Sequence, residues 1–542
     1  MSVSALAAAE TRAAPAARRL APWWPLAALT LLAAILRFAT LGEQSFWYDE
    51  AFTPVHVLHS GLGATLHAVV HTENTPPLWY LLAWVDVRIF GDGEIALRLP
   101  SALAGVATVP VVGAIGARLA GRRAAVIGAA IIAVGPLFVW YSQEARAYGL
   151  FVLFAALAML CFVRALEQPT RRRLAAFALA GALALLTHYF AVFLLVPMAL
   201  WLLWEPRTRR AALPALAALA LVGLALLPLI SAQGGHGTQW IGRWALSSRL
   251  EAIPQYYLTG NSGAPLGHGV ELLVALPILV GVALGAWRLL ASPLGARAGG
   301  ARGPAGEHAG DASGPPDARR GAMIAFAVAA FAVLAPIVLV GFGADYLAPR
   351  NLVGAMIPVS VLIAILLAAV DPRALGTALA ALTALALLII SVDVDLSPRL
   401  QRGNWRDLAH AIERGGVGGL RGANPAGGAR AITTVELGAA PLEYYLPRLR
   451  LRNLARRTRV SVSEIDETGY APLRASAGER PAAGFHLLER RDIDGLILYR
   501  FVSSVPRLVS EAELRRHVIT LAHPEVLVPA DAQVSTTPVG TQ

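Results

Sequence analysis

Long apolar runs make up most of this chain, and short polar stretches punctuate them. The runs lie near 23–41, 99–117, 124–141, 148–166, 174–188, 189–204, 212–231, 269–290, 321–341, 351–370 and 374–392. A helix needs roughly 20 residues to cross a hydrocarbon core about 30 Å thick, so the pattern predicts about eleven membrane spans. The segment Pro76 to Phe90 (PPLWYLLAWVDVRIF) is apolar but too short to cross, and it carries Asp86 and Arg88. It predicts a juxtamembrane helix whose Trp79, Tyr80 and Trp84 suit a membrane interface. After Val392 the long runs stop. Residues 393–542 mix a helical stretch, Trp405 to Arg414, with a β-like one, Leu496 to Val502, and predict a small soluble α/β domain. The expected architecture is an α-helical polytopic bundle over 1–392 followed by that domain.

Charge fixes the sides. The chain has 542 residues, 56% of them hydrophobic and 15% charged, against roughly 25% charged in an ordinary soluble domain. All 46 basic side chains are arginines. They cluster in short loops: Arg118 with Arg122 and Arg123, Arg171 to Arg173, Arg207 with Arg209 and Arg210, and Arg373. Loops of this kind face the cytoplasm, as do Arg18 and Arg19 and the Gly-, Ala- and Pro-rich segment Ala291 to Arg320, which reads as a disordered linker. The alternation then places the first loop (42–98), the other intervening loops and the C-terminal domain outside, with the protein in the cell membrane. The net charge of +11 is explained by this arrangement, and no basic groove interleaved with aromatics points to nucleic acid. Cys161 is the lone cysteine, which excludes an intrachain disulfide. The run from Trp23 to Leu41 is long enough to remain as a span and not a cleaved leader.

Five polar motifs fall on the outer side of this topology. They are Asp49-Glu50 in SFWYDEAF, Thr72-Glu73-Asn74-Thr75-Pro76-Pro77, the ending Trp140-Tyr141-Ser142-Gln143-Glu144-Ala145-Arg146, Thr187-His188-Tyr189, and Asp345-Tyr346-Leu347-Ala348-Pro349-Arg350. Each has an ordinary structural reading. Asp49 and Glu50 would be solvated acids at a helix start, Glu144 and Arg146 an interfacial ion pair, Arg350 a snorkelling cation and His188 a packing residue. Their convergence on one side is harder to explain that way, because charge at membrane depth marks cavities and pathways. Histidines 56, 59, 67 and 71 fall at near-helical spacing, but no acidic ligand lies among them, and no metal or other cofactor is expected.

The set suits sugar transfer from a phosphate-linked lipid. A lipid phosphate leaves readily without a general acid. The acceptor hydroxyl needs a base and the phosphate needs a cation. Glycoside hydrolysis, by contrast, needs a carboxylate pair. The ordered motifs WYDE, PPLWYLL, GDGEIALRLPSALAG, WYSQEARAYGL and THYF resemble bacterial family 39-type glycosyltransferases. These are similar to protein O-mannosyltransferases and the lipid A aminoarabinose transferase, of the GT-C fold class. The resemblance is good over about the first 210 residues, loose over the later spans and slight in the C-terminal domain. It implies a polyprenyl-phosphate sugar donor in the membrane lipid, a protein, glycolipid or polysaccharide acceptor, and inversion at the anomeric carbon without a catalytic metal. It implies Asp49 as the base, supported by Glu50, further acidic cavity positions at Glu73 and Glu144, and Arg350 on the carrier phosphate; the motifs themselves add Asn74, Arg146, His188 and Tyr346 as candidate substrate contacts. Thr75 stands where many relatives have histidine before the two prolines, which points to a different acceptor. A lipid flippase is the competing reading, but the paired interrupted helices usual in transporters are absent from the pattern.

Overall fold

The computed structural model describes residues 23–236, 238–260, 266–291, 317–414, 429–516, 518–519 and 524–536. Most of the expected cytoplasmic linker, residues 292–316, lies outside them, as do Arg18 and Arg19. All eleven predicted spans carry helix. Among the described residues, seven helices are long and apolar enough to cross a membrane, or eight if one bent pair counts as a span. The other three are short: Trp24–Phe38, Ala191–Trp204 and Arg171–Thr187, the last opening on three arginines.

The bent pair has a sequence cause. Arg122–Val134 and Pro136–Ser142 meet at 54° because Pro136 has no N–H for the Ile132 carbonyl four residues back. The buried Arg37 on Trp24–Phe38 takes over, donating to the Ile132 and Ala133 carbonyls at 2.9 Å each and, through Nε, to Ser142 Oγ at 3.1 Å. Small residues let other helices approach closely, as membrane bundles require. A Cβ on Gly285 would fall 2.1 Å from the Leu366 carbonyl oxygen, and one on Gly149 would fall 3.0 Å from the Ser101 backbone.

The segment read as a juxtamembrane helix is a helix of 13 residues, Leu78–Phe90. Its orientation corrects the sequence expectation. Trp79 and Tyr80 are 1% exposed and lie inside, whereas Leu82, Val85, Ile89 and Phe90 form the outward stripe. Trp84 stacks under the Arg88 guanidinium at 3.4 Å. Apolar residues therefore face out and polar-tipped aromatics face in, the inverse of a soluble surface helix.

The chain forms two compact units. One comprises Met1–Leu41, Val69–Ile89 and Ile95–Leu396; the other comprises Gly42–Ala68, Phe90–Glu94 and Ser397–Gln542. The second unit is built on a seven-stranded sheet with the order β2-β6-β1-β3-β5-β4, β7 pairing with β3. Its strands are β1 (Ala429–Thr434), β2 (Leu451–Asn453), β3 (Thr458–Tyr470), β4 (His486–Ile493), β5 (Leu496–Ser510), β6 (Glu525–Pro529) and β7 (Val534–Thr536). Only β1 with β3 is parallel. One face buries Val460, Val462, Ile465, Phe501 and Val526. The other packs Ile432, Leu498 and Leu527 against Trp405, Leu408, Ala409 and Ile412, which fall at helical spacing on Trp405–Arg414. That face also buries charge. Arg500 donates to Asp466 at 2.9 Å and to the Ala411 carbonyl at 3.0 Å, and Arg430 donates to the Ile412 carbonyl at 2.7 Å. Two arginines thus cap the carbonyl end of that helix, where cations are favoured.

Candidate active site

Asp49 and Glu50 open the short helix Tyr48–Phe52, which continues as a single π turn, Thr53–Val57. The carboxylates sit in a first turn, where the helix dipole favours negative charge. Asp49 is half-buried and Glu50 is buried. Both belong to the unit that contains the sheet, and the residues around them are that unit's. Phe46 N–H donates to Tyr445 Oη at 2.7 Å, Ser45 Oγ donates to the Gly403 carbonyl at 3.2 Å, and Trp405 N–H donates to Ser45 Oγ at 2.9 Å. His56 pairs with Glu443 at 3.4 Å. Burial lowers the His56 imidazole and raises the Glu443 carboxyl, which Glu525 pushes further in the same direction.

The other four motifs belong to the bundle unit, and there a polar cluster forms. Glu73, 4% exposed, receives both guanidinium nitrogens of Arg146, at 3.0 and 3.4 Å, and the Tyr80 hydroxyl at 2.5 Å. This is the fork-to-fork geometry that makes arginine–carboxylate pairs strong. Burial pushes the Tyr80 phenol well up, so it remains a donor. Arg146 follows a non-helical turn after Pro136–Ser142, and that turn is fixed on both sides. Gln143 Nε2 donates to the Leu36 carbonyl at 3.0 Å and to Thr40 Oγ1 at 2.8 Å, while Ser101 Oγ donates to the Arg146 carbonyl at 3.2 Å. Glu144, in the same turn, is buried and acts electrostatically on Tyr141.

His188 terminates Arg171–Thr187 and stacks on Phe151, centroids 4.8 Å apart and planes 13° apart. Its Nδ1 accepts the Phe190 N–H at 3.2 Å, so a neutral ring carries its proton on Nε2. Tyr148 lies 5.8 Å from that ring and 4.8 Å from Tyr141. The charge of Arg350 acts on Tyr141, His188 and Tyr256, and that of Arg146 also acts on His188. Arg350 itself lies 4.9 Å over the Trp240 ring. Glu73, Glu144, Arg146, His188 and Arg350 therefore form one connected group with Tyr80, Tyr141 and Tyr148.

Two anchors hold the loops that carry these residues. The buried Gln233 donates to the Val69 and Thr75 carbonyls at 2.9 and 3.1 Å and accepts from the Tyr189 hydroxyl at 2.7 Å. Arg249 grips Asp345 with two nitrogens at 2.6 and 3.0 Å, and this hydrogen bonding holds the Asp345 carboxyl below its usual range. Asn74 donates to the His236 carbonyl at 3.4 Å. The Tyr346 side chain is exposed, and its carbonyl accepts from Asn351 at 2.9 Å. The sequence motifs did not include Gln233, Arg249 or Trp240, and Tyr80 was read only as an interface aromatic. The one available signal was a glutamine or arginine interrupting an otherwise apolar helix or its end. The four histidines do not share one helix face, because the helix breaks between Val57 and Leu62. Among the described residues no three His, Cys, Asp or Glu side chains converge as a metal site.

Comparison with known proteins adds the following. Residues 74–231 match the family model described as dolichyl-phosphate-mannose-protein mannosyltransferase. A search of curated protein sequences found no match. ArnT from Cupriavidus metallidurans bound to undecaprenyl phosphate superposes with a TM-score of 0.50 over 88% of this chain and 97% of its own, at 12% identity. Its apo structure gives 0.50, 88%, 97% and 13%. The Archaeoglobus fulgidus oligosaccharyltransferase in complex with zinc and sulfate gives a TM-score of 0.44, with 17% identity, over 72% of this chain and 55% of that one. The chain is thus a multi-span membrane protein with the GT-C fold of ArnT, and over residues 74–231 its sequence is similar to the dolichyl-phosphate-mannose-protein mannosyltransferase family.

Proposed function

We propose that the protein transfers a sugar, mannose or another hexose or pentose, from a polyprenyl-phosphate carrier to a cell-envelope acceptor at the outer face of the cell membrane, with inversion. The observation that carries this reading is the buried polar group around Arg350, His188 and the Arg146–Glu73 pair in an otherwise apolar bundle. Charge enclosed in a membrane bundle is expensive and is retained for function. In the reaction the acceptor oxygen attacks the anomeric carbon as the bond from that carbon to the phosphate oxygen breaks. The carrier phosphate leaves with the electron pair, and Asp49 takes the acceptor proton, supported by Glu50. Arg350 stabilises the departing phosphate, since a guanidinium can donate two parallel hydrogen bonds to its oxygens. The charge of Arg350 acts on Tyr141, His188 and Tyr256, and Glu73, Asn74, Glu144, Arg146 and Tyr346 contact donor or acceptor.

Purified protein in liposomes, given labelled polyprenyl-phosphate sugar and mixed envelope acceptors, tests the reading. Label should move to the acceptor, and Arg350→Ala should abolish transfer while Arg350→Lys restores part of it. Asp49→Asn should lose roughly 10²–10⁴-fold in rate with donor binding retained. Movement of intact lipid without transfer would replace the enzyme by a flippase.

A further inference from the structure

The C-terminal sheet unit has had no role so far, yet it contains the contacts that hold the Asp49 segment. Within that unit one tyrosine ties both ends of the first loop. The Tyr445 hydroxyl accepts the N–H of Phe46, three residues before Asp49, and donates to the carboxylate of Glu94, where the loop ends. Arg406 closes the circuit by donating to Glu94 with Nε at 3.2 Å and also with Nη2, which reaches the Gly42 carbonyl at 3.1 Å. Ser45, the residue before Phe46, is held by Gly403 and Trp405. Phe46 is fully buried and meets the Tyr444 ring edge-on at 5.1 Å. Burial and the Glu94 carboxylate both raise the Tyr445 phenol, so it stays a donor throughout any assay range.

From this circuit we infer that the sheet unit is a positioning platform for Asp49 and that Tyr445 is its principal positioning residue. The inference rests on the reading of Asp49 as the base. A base acts only when held within hydrogen-bond reach of the proton it takes, and a displacement of about 1 Å can cost on the order of a hundredfold in rate. The four residues Gly42, Ser45, Phe46 and Glu94 flank Asp49 on either side in the chain, and all are fixed by residues 403–445. Removing the Tyr445 hydroxyl leaves the ring in place but takes the acceptor from a buried N–H and a donor from Glu94.

The test uses full-length protein in liposomes with a labelled polyprenyl-phosphate sugar. Tyr445→Phe should lower kcat roughly ten- to a hundredfold and leave donor KM unchanged. Ser45→Ala, which keeps the Tyr445 circuit, should lower kcat in the same way but less. In an Asp49→Asn background neither change should lower the rate further, since there is no base left to misplace. Wild-type kcat in both single variants would overturn the platform role, and so would an undiminished further loss in the Asp49→Asn background. An Asp49→Asn protein with wild-type turnover would instead remove the underlying assignment of the base, which keeps the two failures distinct.

Discussion

Arg37→Met is the sharpest test of how the bundle is held together. The guanidinium is buried in the first helix and makes four hydrogen bonds, to the carbonyls of Ala33, Ile132 and Ala133 and to Ser142 Oγ. It also faces Asp395, whose charge acts on it. Methionine fills similar volume but donates nothing. The Ile132 carbonyl, already without a helical donor because of Pro136, then costs about 1–3 kcal/mol as a buried orphan. Asp395 meanwhile loses the cation whose charge acts on it and stays behind as a buried carboxyl. The orphaned carbonyl alone puts the loss at about 1–3 kcal/mol, a sizeable fraction of a typical folding free energy of about 5–15 kcal/mol, and the uncompensated Asp395 adds to it. Thermal unfolding in detergent should show a clear fall, and Asp395→Leu added to Arg37→Met should recover much of it by removing the stranded charge. The freed Ser142 lies two residues before Glu144, so turnover should also fall. An Arg37→Met protein that unfolds at the wild-type temperature would refute this account of the bent span.

Three further outcomes are expected. Glu73→Gln breaks the buried pair with Arg146 and should cost about 3–5 kcal/mol by thermal unfolding as well as most of the transfer activity, whereas Tyr80→Phe should cost less in both. Burial and the neighbouring Asp466 hold the Glu464 carboxyl above its ordinary value of 4.5, so the folded protein keeps a proton that the unfolded chain has lost. The stability this group contributes is complete below that ordinary value and disappears as pH rises through the folded one. Glu464→Gln should flatten that decline in unfolding temperatures measured across a pH series. With Cys161 replaced, a cysteine at Asp531 should react with an impermeant reagent added to intact cells and one at Gln168 should not; the opposite pattern would invert the proposed topology.

The length of the apolar runs made the spans legible in the sequence, and local pattern made part of the C-terminal unit so. The helix Trp405–Arg414 was readable because its buried positions repeat at helical spacing. β5 was readable only to Val502, since from Ser504 to Leu508 the strand is exposed and mixes serine, proline and arginine with apolar residues before ending at Ser510. The bend at Pro136 was hidden because the run 124–141 is uniformly apolar, and hydropathy does not register a lost N–H. Trp79 and Tyr80 were assigned to the interface by residue type, but hydrogen bonding from Tyr80 to Glu73 draws that face inward. The site residues were found as motifs, yet the pairing of Glu73 with Arg146 joins positions 73 residues apart, which no local pattern encodes. The Tyr445 circuit was out of reach for the same reason, its partners being separated by more than 300 residues.

The interleaving of the two units along the chain also governs how the protein is made. Residues 42–68 and 90–94 belong with residues 397–542, so the ribosome must add about 300 more residues before the loop's partners exist. At about 5–20 residues per second, the Asp49 segment waits roughly 20–80 s for the last of them, with Phe46 and Trp47 lacking the Tyr444, Tyr445 and Arg402 side chains they finally pack against. A nascent chain stopped anywhere in the bundle would carry every span made so far and still have an unfinished loop. Synthesis of the last quarter of the chain is therefore the step that completes the first loop.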